Sequence, residues 1–407
     1  MKNILGTTTS LDIAFLERLR HEADPPADRV AALMHDGNVF GLFAELVRNH
    51  EVWDPDGEPS RRLPEDVRLY LTESGALPAW TRPDLVRHAE DFFLLYGVSS
   101  STLLACASLP ECYTMKYGTE VLCFTKFLQL DPARRIRETA QMIMAVMCPG
   151  GLVPHDGAGA GPGAHTTQKV RLMHAVIRHM IGETSGGSGQ PLDPGAAQAF
   201  GAPINQEDLV FTLMTFSYVG VRGFRAMGVP MTARQQDAYI HCWNVVGCLM
   251  GVRPELLPAD MANAEILYDA VRAHQAAPSE AGRTLTQALM GLLVQLMPET
   301  QKHVPLVLTR DLVGDASADM LGVARAPWLE HTYVWCLLRL WKVIVSTSAA
   351  LHWIRPYRWA SEKLHHTLLD RMGHLSGSKP FEIPPEFIAR WFPEESAAAA
   401  SAPTVGH

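Results

Sequence analysis

In the stretch KVRLMHAVIR, residues 169–178, basic and apolar residues recur with the period of an α-helix. Arg171, His174 and Arg178 stand at positions i, i+3 and i+7, so they share one face of that helix. The apolar residues of the opposite face are Leu172, Ala175 and Val176. The stretch therefore predicts an amphipathic helix with one basic side that carries a histidine.

The same helical period recurs along most of the chain, whereas alternating strand patterns are few and short. The sequence contains no strand that is followed by a glycine loop and a helix, so nothing in it indicates a nucleotide-binding fold. The predicted helices cover about 10–22 (with Ser10 as cap), 26–50, 83–95, 99–107, 112–128, 132–147, 168–181, 206–226, 233–252, 260–276, 279–297, 306–316, 327–353 and 357–372. We predict an all-α, single-domain helical bundle.

Two glycine-rich breaks, at 149–165 and 185–195, are short and flanked by predicted helix, which favours loops within one domain. The predicted organisation is an N-terminal segment at 1–24, a helical domain at 25–375 and a C-terminal extension at 376–407. The end of that extension, from Glu394, is rich in alanine and serine and is predicted to be disordered.

Composition restricts the classes of function. The formal charge is −8 and no basic run occurs, which argues against a nucleic-acid partner. Seven cysteines without a CxxC spacing indicate reduced thiols and a cytoplasmic protein, and the first residues have no apolar segment of a secretion signal. The apolar run Val334–Ile354 contains Arg339 and Lys342, so we predict a buried helix there and no transmembrane segment.

The face with His174 suggests a haem site. A neutral imidazole is a common axial ligand of haem iron. Guanidinium groups such as those of Arg171 and Arg178 suit haem propionates, because they pair with carboxylates in a bidentate way. The alternative is a solvated charged face that carries one surface histidine.

A second group lies in ARRIRETAQMIMAVM, residues 133–147, where Arg135, Glu138 and Thr139 share a helix face. Cations in a first turn oppose the helix dipole, so acidic partners or propionates are expected there, or else an exposed turn with ordinary ion pairs. A third candidate is Glu120, which stands among apolar residues. It is either a general base whose pKa is raised by burial or an ion-pair partner of a nearby cation.

These motifs together resemble the latex-clearing protein and MpaB-type rubber-oxygenase family over roughly residues 25–375. The matching elements are Arg135-x-x-Glu138-Thr139, Arg171-x-x-His174-x-x-x-Arg178, Ser108-Leu109-Pro110, PGGL at 149–152, INQEDLV at 204–210 and RDLVGDASADMLG at 310–322. The resemblance implies a globin-like helical core with one haem b, His174 as proximal iron ligand, and Arg171 and Arg178 as supports of the haem and its ligand helix.

The resemblance also implies an activity, the dioxygen-dependent cleavage of a C=C bond in isoprenoids. Arg135 and Thr139 would line the distal side, and Glu120 lies near the family's catalytic glutamate. Glu138 departs from the pattern, because rubber-cleaving members carry a lysine there that can cap the iron. It remains a candidate catalytic group as an acid–base residue, a hydrogen-bond partner of dioxygen or an ion-pair partner.

The departure at Glu138 and the lack of a secretion signal favour a small intracellular apolar substrate over a solid polymer. Two alternatives stay open. One is a non-catalytic haem sensor or carrier, and the other is a haem-free helical protein in which Arg171, His174 and Arg178 form an ion-pair network. The oligomeric state is not predictable from the sequence.

Overall fold

The structure is a computed structural model that describes residues 1–36, 58–124, 132–157, 159–186 and 201–351. Within these ranges the chain is helical, and its only β-type pairings are three isolated bridges. The predicted all-α class is confirmed, while the globin-like character of the core stays a prediction.

The first part of the chain forms α1 (Ile13–His21), α2 (Pro25–Asp36), α3 (Glu58–Arg61), α4 (Glu65–Ser74), α5 (Pro83–Leu95), α6 (Gly97–Leu103), a π-helical turn (Leu104–Ser108), α7 (Leu109–Cys112) and α8 (Lys116–Phe124). The cap predicted for α1 was wrong. Asp12, and not Ser10, accepts a hydrogen bond from the backbone N–H of Phe15 at 2.8 Å. A carboxylate there also complements the positive end of the helix dipole.

The second part forms α9 (Pro132–Met147), α10 (Pro162–Gly186), α11 (Gln206–Phe216), α12 (Tyr218–Ala226), α13 (Ala233–Leu249), α14 (Met261–Gln275), α15 (Glu280–Gln295), α16 (Val304–Val313), α17 (Asp315–Met320) and α18 (Trp328–Leu351), with 3₁₀ turns at Pro254–Leu256 and Glu299–Gln301. The helix predicted at 206–226 is two helices that meet at Ser217. The helix predicted at 306–316 ends at Val313, because Gly314 takes φ +85° and the chain turns there.

Helix α10 lies at the centre of the fold, in contact with α2, α9 and α13. Helix α5 packs along α13 and also touches α9, so these helices share one apolar core. Large side chains such as Trp243, Phe93 and Leu172 are fully buried in the protein. Burying each such side chain contributes about 2 kcal/mol relative to leaving it in water.

The prediction of a buried helix at 334–354 was wrong for the part that the structure describes. Val334 is buried, but Trp335, Leu337, Leu340 and Val343 are exposed on α18. Among the described residues, no single helix is long and apolar enough to cross a membrane. One bent pair, α5 with Gly97–Cys112, passes the same test of length and composition.

Several predictions lie outside the described residues. These are the part of the predicted helix 26–50 beyond Asp36, the helix at 357–372 and the disordered end from Glu394. The domain boundaries at 24 and 375 also remain predictions.

Candidate functional site

Helix α10 carries His174 on a side that is only partly covered. Leu172 and Ala175 are fully buried against the core, whereas Val170, Met173 and His174 are half-buried. A helix enclosed by three neighbours would ordinarily bury such apolar residues completely. His174 therefore lies among apolar side chains on the less enclosed side of a central helix.

The two arginines of α10 bind carboxylates at the start of α2, Asp24 immediately before the helix and Asp28 within it. Arg171 makes a bidentate pair with Asp24, with Nε 2.6 Å from Oδ2 and Nη2 2.9 Å from Oδ1. Arg178 donates from Nε to Asp28 at 2.7 Å and from Nη1 to the carbonyl of Ile204 at 3.2 Å. Two charged pairs, two turns apart on α10, thus tie α2 to the helix of His174.

Burial sets the electrostatics of these pairs. The side chains of Arg171 and Asp24 are 13% and 4% exposed. Burial lowers the pKa of the Arg171 guanidinium, but the hydrogen bonds to Asp24 together with the charges of Tyr70, Asp24 and Cys248 outweigh burial and raise that pKa. Burial raises the pKa of Asp28, and the nearby Arg178 opposes this rise only in part. The predicted face of α10 is present, and its arginines contact aspartates, as the haem-free alternative supposes. Their role toward haem stays a prediction.

Glu138 and Thr139 lie on α9, which packs directly against α10. Both are half-buried and both have polar contacts in the protein. The side chain of Arg135 lies outside the described residues, so its predicted role is untested. The structure therefore brings the helix of Glu138 and Thr139 beside the helix of His174, as the family resemblance implies.

Glu120 lies on α8 and is half-buried. Helix α8 packs against α15, and α9 packs against the same helix. Leu122 of α8 and Ile136 of α9 border one apolar cluster. Helix α8, which carries Glu120, thus shares the neighbour α15 with α9, which carries Glu138.

One residue of α10 has the chemistry that a haem requires of the protein. The iron needs a single proximal imidazole from the protein, and His174 is a half-buried histidine with apolar neighbours. Across the described ranges, no cluster of three or more His, Cys, Asp or Glu side chains is arranged to hold a metal ion. Lys169 is a further cation of α10, and burial lowers its pKa.

Sequence reasoning missed the way in which α9 and α10 are joined. The chain turns at Pro149–Leu152, and α10 begins at Pro162, six residues before the predicted start. The carboxyl of Glu90 on α5 accepts a hydrogen bond from the backbone N–H of Gly150 at 3.1 Å. A signal for Glu90 existed. It is an acidic residue in phase with Val86 and Phe93, four residues before and three residues after it, on the apolar side of a helix.

Sequence and structure comparisons identify the family and the fold. A family model described as "ER-bound oxygenase mpaB/B'/Rubber oxygenase, catalytic domain" matches residues 85–346. The rubber oxygenase of Streptomyces sp. (strain K30) is 26% identical over 359 residues, which cover 86% of this chain and 80% of the relative. The solved structure of the latex clearing protein LCP in the closed state superposes with a TM-score of 0.63 at 22% identity, covering 90% of this chain and 93% of that one.

The structural match shows a shared helical fold, and the family model extends over well more than half of the chain. The match includes α9 and α10, where the histidine, the glutamate and the threonine of the predicted site stand. This chain belongs to the MpaB and rubber-oxygenase family of oxidoreductases.

Proposed function

We propose that this protein is a haem b-dependent oxygenase that cleaves or oxidises a C=C bond in a small, unsaturated apolar molecule with dioxygen. The observation that carries the proposal is the place of His174 in a chain of this oxygenase family. It is half-buried on the central helix α10, directly beside the helix of Glu138 and Thr139. The substrate and the cofactor are inferred from the chemistry of these residues.

His174 would hold the haem through its imidazole. When bound, the haem supplies an iron centre for dioxygen chemistry, which protein side chains lack. Arg171 and Arg178 would take no direct part in the reaction. Their pairs with Asp24 and Asp28 would fix the position of α10, which carries His174. The buried residues of α10, α5 and α13 exclude water on the core side.

Polar groups of α9 and α8 would handle the substrate and the oxidant. The hydroxyl of Thr139 and the guanidinium of Arg135 would donate hydrogen bonds toward dioxygen. Glu120 would accept an allylic proton from the substrate and later return it. Cleavage of C=C by one dioxygen molecule gives two carbonyl groups, so it needs no external reductant.

Glu138 favours a small substrate. A carboxylate cannot cap iron as a lysine amine can, so this site differs from that of the rubber-cleaving members of the family. Glu138 would instead act as an acid–base group or pair with a neighbouring cation. A small isoprenoid is therefore proposed over a solid polymer, which accords with the proposed cytoplasmic location. All seven cysteines lie in described ranges as free thiols.

The test of the cofactor is an absorption spectrum of the full-length protein after haem supplementation, with and without dithionite. A Soret band is expected in the parent, and its loss or shift is expected in His174→Ala. The matched control is His179→Ala, which removes another half-buried histidine of the same helix and is expected to keep the band. Equal loss in both variants would contradict His174 as the ligand.

The test of the reaction separates an oxygenase from a haem sensor or carrier. The haem-loaded protein is incubated with short isoprenoid alkenes under air and, in parallel, under nitrogen. Carbonyl products labelled from ¹⁸O₂ are expected only under dioxygen, with a large loss in Glu120→Gln. A stable haem spectrum without product would support the sensor.

The second candidate is a haem-free helical protein, and the ion pairs of Arg171 and Arg178 with aspartates favour it. In that case the basic face of α10 serves only to attach α2. Protein that stays without a Soret band after haem supplementation would support this candidate and contradict the oxygenase.

A further inference from the structure

Glu90 is a buried carboxyl that the proposed chemistry does not use. Glu90 is 1% exposed, and its Oε2 accepts a hydrogen bond from the backbone N–H of Gly150 at 3.1 Å. Oε1 is buried as well and has no hydrogen-bond partner in the protein. Among the described residues, no lysine, arginine or histidine forms an ion pair with Glu90. A carboxyl buried in this way is costly, and such groups more often serve positioning or chemistry than stability.

The turn held by Glu90 joins the two helices of the candidate site. Gly163, at the start of α10, donates its N–H to the carbonyl of Gly151 at 2.7 Å. Gly161 donates to the carbonyl of Leu152 at 2.8 Å. Gly150 has φ +81°, a conformation that favours glycine. The end of α9 and the start of α10 are thus connected backbone to backbone.

Close packing leaves no free space around the glycines of this connection. A Cβ added at Gly151 or Gly163 would overlap the carbonyl oxygen of Ala145, in the last turn of α9. A Cβ at Gly161 would overlap the carbonyl oxygen of Gly150. We call Gly150–Leu152 together with Gly161–Gly163 the glycine junction. Because its parts are in direct contact, a shift at Gly150 must move the end of α9, the start of α10 or both.

The groups around Glu90 are thiols, backbone amides and one carboxyl. The charge of Glu90 contributes to the raised pKa of the thiols of Cys148, at the end of α9, and Cys242, on α13. Asp91 follows Glu90 on α5. The exposed ring of His155 lies next to Gly150. Helix α6, which also packs on α5, contains no titratable residue. Burial raises the pKa of Glu90 to about 7, and the nearby backbone amides of Gly150, Leu152 and Gly151 oppose this rise.

We propose that Glu90 is a positioning residue for the His174 site: its carboxylate holds the glycine junction in place, and protonation of that carboxylate loosens the hold. The reason is that an ionised acceptor binds a backbone N–H about twice as strongly as a neutral one. Proton uptake removes a costly buried charge and weakens the hydrogen bond at the same moment. The effect on haem rests on the proposed function, whereas the hold on the junction does not.

The first measurement follows the junction itself, without haem. Hydrogen exchange of the amide of Gly150 is followed in full-length wild type and Glu90→Gln at pH 8 and pH 6, corrected for intrinsic rates. At pH 8 the variant is expected to lose about tenfold in protection, and at pH 6 much less. Asp91→Asn, which alters the exposed neighbouring carboxyl, is the matched control and is expected to behave as wild type. Equal protection in wild type and Glu90→Gln at both pH values would overturn the proposal.

The second measurement follows the haem. The Soret band of haem-loaded wild type is expected to titrate with a midpoint near pH 7, and this titration is expected to vanish in Glu90→Gln but not in Asp91→Asn. A titration that persists unchanged in Glu90→Gln would overturn the effect on the site. If no variant binds haem, the proposed function fails, and the exchange result still decides whether Glu90 holds the junction.

A third variant covers the case in which Glu90→Gln does not fold. Glu90→Asp keeps the charge on a shorter side chain, so the hydrogen bond is expected to lengthen while a titration near neutral pH persists. Reduced protection of Gly150 in this variant, with a titration in place, supports the proposal. Full protection would contradict it, because the hydrogen bond would then not depend on the reach of the glutamate.

Discussion

Helix α10 is held on its two sides by different means. Toward α2 the contact includes two charged pairs, Arg171 with Asp24 and Arg178 with Asp28. Toward α9 it includes backbone contacts at the glycine junction, with the carboxyl of Glu90 behind it. Charged pairs fail when one partner is removed, and close backbone contacts fail when any atom is added. The helix of His174 is thus fixed by attraction on one side and by shape on the other.

The largest effect is expected from breaking the attraction. Arg171→Ala leaves Asp24 buried without its cation and should lower the free energy of unfolding by about 4 kcal/mol. Chemical denaturation measures this loss. The matched control is Arg82→Ala, which breaks an exposed pair with Asp84 and should leave the stability unchanged. Similar losses in both variants would show that burial of the pair does not matter.

The next effect is expected from adding one atom on the other side. Gly163→Ala places a methyl group against the carbonyl oxygen of Ala145 and should cost about 3 kcal/mol, since the backbone has to move. Gly291→Ala on α15 is the control, because no atom lies within 4 Å of its added Cβ. It should be neutral or stabilising by up to about 1 kcal/mol. A neutral Gly163→Ala would mean that the junction can open.

A smaller effect is expected from pH. The pKa of Glu90 is raised to about 7 in the folded protein from an ordinary 4.5. Between these values the folded state binds more protons than the unfolded state, so the free energy of unfolding falls as pH rises. Between pH 5 and pH 8, wild type should lose about 2 kcal/mol relative to Glu90→Gln. Parallel pH profiles of the two proteins would contradict the raised pKa.

The smallest effect is expected from a change that keeps the charge. Arg178→Lys can bind Asp28 or the carbonyl of Ile204 but not both, so it should cost about 1 kcal/mol. Thermal unfolding of Arg178→Lys and Arg178→Ala, measured together with wild type, compares the two losses of stability. If the lysine variant is as unstable as the alanine variant, the geometry of the guanidinium is the main contribution and its charge is secondary.

Local sequence patterns predicted which residues share a face of α10, but they did not predict the partners of those residues. The face of Arg171, His174 and Arg178 and the bounds of α9 follow from helical spacing and were correct. Asp24 was not predicted as the partner of Arg171, because the two residues are 147 positions apart and no local rule joins them. A resemblance to a family supplied the role of His174, which spacing alone could not assign.

The glycine junction shows why the rest could not be read from the sequence. Glycines at 150–163 were interpreted as a loop, because glycine usually breaks a helix. In the structure Gly163 belongs to α10, where it is required for contact with Ala145. Whether a glycine ends a helix or allows a neighbour to approach depends on the neighbour, which is known only once the fold is formed. For Glu90 the sequence did carry a signal, its place on the apolar side of α5, but its partner Gly150 is known only from the fold.

The sequence distance between α2 and α10 has a consequence for folding. The glycine junction joins helices that follow each other along the chain, so it closes a short loop at little entropic cost. The pair of Arg178 with Asp28 spans 150 positions. Contacts of such long range slow folding, because the intervening chain must be ordered before they form. We therefore expect α9 and α10 to assemble early as a unit and α2 to join them later, so that α10 forms its contacts with α9 before α2 covers it.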